Sequence, residues 1–82
     1  MLHSVAVEMD SAHERARKDA QAHLKPFGQH VRRLRREQDL TQDQLADRAR
    51  LDPRVIRFVE SGTRDVGISM LWMLAQGLGV EV

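Results

Sequence analysis

Apolar residues recur at helical spacing through residues 26–82 of this 82-residue chain. Within each stretch they stand three or four positions apart, so they fall on one face of a helix and can pack into a shared core. The pattern predicts an all-α fold, with helices over about 26–38, 42–49, 53–60 and 68–77. The apolar positions are Phe27, Val31, Leu34, Leu40, Leu45, Ala46, Ala49, Val55, Ile56, Val59, Ile68, Leu71, Leu74, Ala75 and Leu78.

Local start and stop signals agree with these helices. Thr41 and Gln44 form a capping box, in which each side chain can bond the backbone amide of the other residue. Asp52 is an N-cap, and Pro53 follows it at the first helical position. Three glycines are expected to stop helices: Gly62, Gly77 and Gly79. The two short helices meet across a turn at 50–52, which predicts a helix-turn-helix over about 42–61.

The first 25 residues are interpreted as an N-terminal extension, ahead of a domain over 26–82. Residues 1–10 alternate weakly in hydropathy, which permits a short strand or a disordered tail. Ser11 and Glu14 then form a capping box that predicts a helix over about 12–25. Its apolar stripe is thin, so this helix packs loosely or against another chain. Pro26 either ends it or begins the next helix.

Positive charge is concentrated in the middle of the chain, although the net charge is only +1. Residues 27–64 hold nine Arg and six acidic residues, a local net charge of +3. Arg outnumbers Lys by eleven to two, and its planar guanidinium suits phosphates and guanine edges. A genome rich in G and C would also favour Arg, but it would not account for the clustering.

Several classes of function are excluded by residues that the sequence lacks. It has no Cys for disulfides or thiolate metal sites, and no two His are spaced i, i+4 as in a zinc-binding helix. No apolar run is long enough to span a bilayer, and the N-terminus does not resemble a signal peptide. No nucleophile, base and orienting acid converge. We therefore expect a non-enzymatic, cytoplasmic, nucleoid-associated protein without metal, cofactor or small-molecule ligand.

The helix that begins at Pro53 has two faces of opposite character. Its buried face is formed by Val55, Ile56 and Val59. The nearly opposite face carries no acid and comprises Arg54, Arg57 and Phe58. That face suits the major groove of DNA, where Arg bonds guanine O6 and N7 and an aromatic ring can touch a thymine methyl. Alternatively, the two Arg are ordinary surface residues, and Phe58 folds back onto the first or last helix of the domain.

The preceding helix can hold a DNA phosphate at its N-terminus, because its free backbone amides and its dipole attract an anion. Gln42 is the first residue inside the cap, and its side-chain amide can reach the same phosphate. The alternative is a Gln that is merely solvated at a helix start.

The stretch LRREQDLTQDQLADRARLDPRVIRFVESGTR resembles the Cro/C1-type helix-turn-helix domain of phage repressors and many bacterial regulators. LAQGLGV at 74–80 is similar to the last helix of the same pattern, so the resemblance covers about 27–80. It implies a compact four- to five-helix lambda-repressor-like domain, here with an N-terminal helical extension. The matching residues are Arg35, Leu40, Thr41, Gln42, Leu45, Ala46, Ile56, Val59, Glu60 and Gly62.

The resemblance also implies roles for particular residues. The third helix of the family's domain reads the major groove, which assigns base contacts to Pro53, Arg54, Arg57 and Phe58. The resemblance assigns phosphate contacts to Thr41, Gln42, Thr63 and Arg64. A structural ion pair joins the first and third helices of the domain: Arg35 and Glu60.

Three features depart from the family pattern. The left-handed position of the turn, usually Gly, is Arg50, which costs about 1 kcal/mol unless the turn has another shape. Gly67 replaces the usual Ser as N-cap of the last helix, and it is a weaker cap. A fifth helix, which many members use for dimerisation, is missing before Val82. Within the family, Leu-Asp-x-x-x-Ile followed by Arg-Asp-Val is similar to the controller proteins of restriction–modification systems.

These features together predict a sequence-specific transcriptional regulator, such as a repressor, with double-stranded DNA as partner and no membrane association. One domain of this type makes few base contacts, so we expect a homodimer on a two-fold operator. Residues 1–25 are the expected dimer contact. The alternative is a protein–protein adaptor or antitoxin-type module that uses the same fold and binds DNA weakly.

Overall fold

The computed structural model describes the backbone of residues 2–80 and the side chains of residues 12–80. This part of the chain contains five helices and no strand, which confirms the all-α prediction. The helices are α1 (Leu2–Ala22), α2 (Leu24–Glu37), α3 (Gln42–Ala49), α4 (Pro53–Ser61) and α5 (Ile68–Leu78).

The prediction of a strand or tail over residues 1–10 was wrong, because α1 begins at Leu2. Residues 2–22 contain five Ala and no Pro or Gly, so nothing in the segment interrupts a helix. A helix also satisfies its own backbone hydrogen bonds, whereas a lone strand would need a partner. Ser11 and Glu14 lie inside α1, so their capping-box pattern does not mark a helix start.

Pro26 determines where α1 gives way to α2. Its ring clashes with the carbonyl four residues earlier, and it has no N–H to bond that carbonyl. The carbonyl belongs to Ala22, the last residue of α1. Pro26 itself is the third residue of α2, within the first turn, where backbone amides have no acceptor inside the helix. The extension helix therefore stops at Ala22 rather than about 25, and α2 begins at Leu24.

The core lies among α2, α3, α4 and α5. α2 packs against α4, while α3 packs against both α4 and α5. Full burial of a Leu, Ile or Val side chain stabilises the fold by about 1.5–3 kcal/mol. The core is therefore what holds α3 and α4 in a fixed relation. Its buried side chains are Val31, Leu45, Ala46, Ile56, Val59, Leu74 and Leu78.

Two glycines allow the helices to approach closely. A Cβ added to Gly28 would collide with the backbone carbonyls of Val59 and Glu60, so Gly28 lets α2 lie directly on α4. A Cβ on Gly77 would lie 2.9 Å from Ala49 Cβ, so this residue brings α5 against α3. Gly77 is thus a packing residue inside α5, and the prediction that it closes the helix was wrong.

Candidate nucleic-acid interface

The helix-turn-helix is formed by α3 and α4. At the start of α3, Thr41 Oγ1 accepts a hydrogen bond from the Gln44 amide at 3.0 Å. Gln44 Oε1 accepts one from the Thr41 amide at 2.9 Å, so the predicted capping box is confirmed. After α3, Arg50 is left-handed, with φ 58° and ψ 41°. The turn therefore keeps a left-handed residue at the position predicted from the family, with the strain of a non-glycine residue.

α4 begins at its predicted cap. Asp52 Oδ1 accepts a hydrogen bond from the Arg54 amide at 2.8 Å, and Pro53 is the first helical residue. The helix ends at Ser61, and Gly62 is its left-handed C-cap with φ 75°, as predicted. Of the predicted buried face, Ile56 and Val59 are almost completely buried, with exposed fractions of 0% and 1%, whereas Val55 is only partly buried. Glu60, 2% exposed, is also buried on this side.

The outer face of α4, defined as Arg54, Arg57 and Phe58, is exposed. Phe58 is 49% exposed and is not among the side chains packed on the core, so it does not fold back onto a neighbouring helix. Pro53 lies half-buried at the start of the same helix. All four residues with predicted base contacts thus lie on α4, three of them on one open surface.

Arg54 is held by its neighbour Asp52, which the sequence reasoning did not predict. Arg54 Nε lies 3.2 Å from Asp52 Oδ1, and Arg54 Nη2 lies 3.1 Å from Asp52 Oδ2. The side-chain hydrogen bonds from Arg54 and its backbone amide lower the pKa of Asp52 to about 2. The pair therefore keeps this carboxylate ionised to a lower pH than an ordinary Asp. The sequence did contain a signal for this pair: an acidic N-cap residue stands two positions before an Arg in the first turn of α4.

Behind α4, the structure brings Arg35 and Glu60 together as the resemblance implied. Arg35 Nε donates to Glu60 Oε2 at 2.7 Å, and Nη2 donates to Oε1 at 2.9 Å. Arg35 Nη1 also donates to the Leu40 carbonyl at 2.8 Å. Both residues are buried, with exposed fractions of 8% and 2%. Geometry of this kind, forked and fully hydrogen-bonded, is what a buried ion pair requires.

Two further side chains reach Glu60, and sequence reasoning missed both contacts. Arg32 Nε and Gln42 Nε2 each donate to Oε1 at 3.2 Å. Burial acts to raise the pKa of Glu60, but the hydrogen bonds from Arg35, Gln42 and Arg32 outweigh burial and lower it. Gln42 is thus more than a solvated residue at a helix start. Its amide has two N–H donors, so one remains for another acceptor.

The other residues with predicted phosphate contacts lie at the N-terminus of α3 and in the loop after α4. Thr41 is exposed, and its hydroxyl hydrogen remains free to donate while its oxygen caps α3. Thr63 and Arg64 are exposed. The Thr63 and Ser61 hydroxyl oxygens lie 2.7 Å apart, which ties the loop to the end of α4. Arg64 makes no ion pair with any residue between 12 and 80.

Among the described residues, no group of His, Asp or Glu is arranged to hold a metal ion. None of the described helices is both long enough and apolar enough to cross a membrane.

Comparisons with known proteins point to one family. The sequence model of the helix-turn-helix family matches residues 31–82. The restriction-modification controller protein C.AhdI from Aeromonas hydrophila is 38% identical, with a TM-score of 0.71, over 73% of this chain and 91% of that one. The wild-type controller protein C.Esp1396I is 29% identical, with a TM-score of 0.68, over 71% of this chain and 75% of that one. No curated protein sequence matches the chain.

The family and the fold are those of DNA-binding regulators. The matched residues include the whole helix-turn-helix and α5, together with the Arg35 and Glu60 positions that the resemblance had singled out. This chain belongs to the Cro/C1-type helix-turn-helix family and is a DNA-binding transcriptional regulator.

Proposed function

We propose that this regulator recognises a two-fold operator in double-stranded DNA, with α4 in the major groove. The observation that carries the proposal is the contrast between the two sides of α4. One side is almost completely buried, whereas the outer face presents two guanidinium groups and an aromatic ring to solvent. A face of that composition, on a short helix fixed by a packed core, suits base edges in the major groove.

The proposal assigns different roles to two groups of residues. Residues on α4 read bases: Pro53, Arg54, Arg57 and Phe58. Residues at the N-terminus of α3 and in the loop after α4 hold phosphates: Thr41, Gln42, Thr63 and Arg64. Phosphate contacts fix the position and orientation of the domain on the duplex but carry no sequence information directly. Gln42 is supported in this role by its hydrogen bond to Glu60, which fixes the side chain at the N-terminus of α3.

A homodimer is part of the same proposal. The outer face of α4 offers only three side chains, and a second copy on the other half of a two-fold site would double the number of base contacts. Residues 1–25 supply the dimer contact in this proposal. In support, every described side chain from residue 12 to residue 23 is exposed, so α1 has a free surface for a second copy.

The likeness to restriction-modification controller proteins gives the first candidates for the regulated genes. Both solved relatives are described as restriction-modification controller proteins. This chain covers 91% of the length of C.AhdI, the more similar of the two. We therefore propose that the operator lies beside a gene of a restriction–modification system.

Selection of binding sites from a random duplex library, followed by titration of the selected duplex at several salt concentrations, tests the proposal. A reader of DNA should enrich one two-fold sequence, and its affinity should fall steeply as salt displaces the phosphate contacts. Replacing Arg54 and Arg57 together by Ala should abolish the enrichment. Replacing two exposed Arg on α2, Arg33 and Arg36, is the charge-matched control and should preserve it. No enrichment by the unaltered protein would instead favour the adaptor.

A further inference from the structure

We propose that Asp52 is a positioning residue for specificity: it holds the Arg54 guanidinium so that its free edge meets a single guanine. The inference rests on the proposed function, since it requires α4 to lie in the major groove. It adds a residue that is itself no base contact, and it names guanine as the base that Arg54 reads.

The geometry of the pair carries the proposal. A guanidinium has five N–H donors, and two of its edges can each engage a pair of acceptors. Asp52 occupies the side edge, where Nε and Nη2 face its two carboxylate oxygens at 3.2 and 3.1 Å. The end edge, formed by Nη1 and the second hydrogen of Nη2, makes no hydrogen bond with residues 12–80. This edge matches guanine, which places two acceptors, O6 and N7, side by side in the major groove.

The position of Asp52 strengthens the argument, because the carboxylate is anchored to the helix. Its Oδ1 accepts from the Arg54 backbone amide at 2.8 Å, so the residue that orients the side chain is fixed to the first turn of α4. The Arg54 side chain is 72% exposed, so without that anchor it would be long and flexible. Restricting it before binding removes part of the ordering cost that contact with DNA would otherwise incur.

The charge of Asp52 is the second argument. Capping α4 does not need a carboxylate, since Ser, Thr and Asn cap helices about as well. An ionised carboxylate near the phosphates of DNA weakens binding to every sequence alike. Like any Asp, Asp52 is ionised at neutral pH, and the hydrogen bonds of Arg54 lower its pKa further, to about 2. A negative charge at this point therefore reduces non-specific affinity, while the pair that it forms favours one base. The charge alone lowers affinity for all sequences, whereas the pair raises the ratio of specific to random binding.

The opposite interpretation is that Asp52 masks Arg54 and keeps it from DNA. The two interpretations differ in how much of the Arg54 guanidinium the carboxylate must cover. Complete masking would require both edges to be covered, whereas the carboxylate lies on the side edge alone. They also predict opposite effects of removing the carboxylate, so one experiment separates them.

The experiment measures base preference at the pair read by Arg54. The unaltered protein selects its site from random duplex, and the pair at which Arg54→Ala loses its preference is taken as the Arg54 pair. Asp52→Asn keeps a capping oxygen but replaces the other oxygen with an NH2 group, which cannot accept the hydrogen bond from Nη2. We expect its preference for guanine at that pair to fall about tenfold. We expect its affinity for random duplex to rise. In the Arg54→Ala background, Asp52→Asn should cause no further loss of preference.

Controls separate positioning from charge and from folding. Asp43→Asn removes an exposed carboxylate from the first turn of α3 without touching Arg54, so it should raise random affinity and leave the base preference unchanged. Thermal melts establish that Asp52→Asn is folded, and Asp52→Ser supplies a second neutral cap if it is not. Tighter operator binding by Asp52→Asn with its preference intact would mean masking and would overturn the inference. An unchanged preference would overturn it as well. The selection with the unaltered protein comes first. If that protein selects no sequence, both the proposed function and the role of Asp52 are wrong.

Discussion

At the scale of single residues, the Glu60 carboxylate on α4 joins three helices. It accepts hydrogen bonds from Arg35 and Arg32 on α2 and from Gln42 on α3. The pair with Arg35 could be inferred from the sequence, because the resemblance to the family implied it. The contacts of Arg32 and Gln42 could not, since they depend on how α2 and α3 approach α4. Gly28 was missed for the same reason.

We expect Arg35→Ala and Glu60→Ala each to destabilise the protein by about 3–5 kcal/mol, because each leaves a buried charge without its partner. A domain of this size has a total stability near 5 kcal/mol, so both variants should be partly unfolded at 37 °C. Urea melts measure the loss. Arg33→Ala is the matched control: Arg33 pairs with Glu37 at 3.9 Å, and both side chains are more than half exposed. Its cost should be under about 1 kcal/mol.

Replacing both buried partners at once provides the second half of that test. Arg35→Met combined with Glu60→Leu leaves neither charge stranded, so part of the loss should be recovered. The recovery will be incomplete, because the Leu40 carbonyl and the Gln42 amide lose their partners. Single-variant losses below about 1 kcal/mol would contradict the burial of this pair.

The lowered pKa of the Glu60 carboxylate predicts how the stability of the protein depends on pH. The pKa of Glu60 is lower in the folded protein than its ordinary value of 4.5. Its contribution to stability is therefore complete above that value and is lost as the pH falls through the folded pKa. Urea melts between pH 7 and pH 3 should show this decline, and the decline should be smaller in Glu60→Gln, which has no proton to gain. Equal declines in the two proteins would contradict the assignment.

At the scale of helices, local chemistry predicted most boundaries. The caps of α3 and α4 depend on side chains within three residues of each helix start, so Thr41 and Asp52 could be identified directly. The same pattern misled at Ser11, because a capping box cannot show whether the residues before it are helical too. The start of α2 was also misplaced by two residues, since Pro26 is tolerated anywhere in a first turn.

The turn between α3 and α4 supports a prediction at this scale. Arg50 is left-handed with φ 58°, a conformation that glycine adopts without strain. Arg50→Gly should therefore stabilise the protein by about 0.5–1 kcal/mol, the strain relieved less the entropy that glycine adds to the unfolded chain. Arg48→Gly, two residues earlier inside α3, is the control and should destabilise by about 1 kcal/mol. Thermal melts compare the two. A loss of stability in both would argue against a left-handed residue 50.

At the scale of the whole molecule, the described chain has two parts of different character. One is the packed unit of α2 to α5, and the other is α1, along which the described side chains are exposed. The sequence predicted most of the packed unit because its apolar spacing is regular, but Ile68, which the same spacing assigned to the core, is 89% exposed. It could not predict what α1 contacts, since a thin stripe specifies no partner. An exposed apolar surface also lies on α5, where it is formed by Ile68, Trp72 and Met73.

Removing residues 1–22 should leave a folded, mostly monomeric protein that binds its operator more weakly. The cut spares α2, which begins at Leu24 and whose Lys25 backbone packs against Gly62. Circular dichroism checks the fold, and analytical ultracentrifugation compares association of the two forms. If the shortened protein dimerises as well as the full chain, α1 is not the dimer contact. Trp72→Ala in the shortened protein would then test the exposed surface of α5.

The central claim is that the outer face of α4 reads sequence, and the ratio of operator affinity to random-duplex affinity tests it most directly. Arg57 lies in the middle of that face and forms no ion pair with residues 12–80. In Arg57→Ala the ratio should fall about tenfold, and preference should relax at one base pair in each half-site. Arg64→Ala, at a proposed phosphate contact, should weaken both duplexes alike and preserve the ratio. Equal losses on both duplexes in Arg57→Ala would show that Arg57 contacts only phosphate, and would contradict the claim.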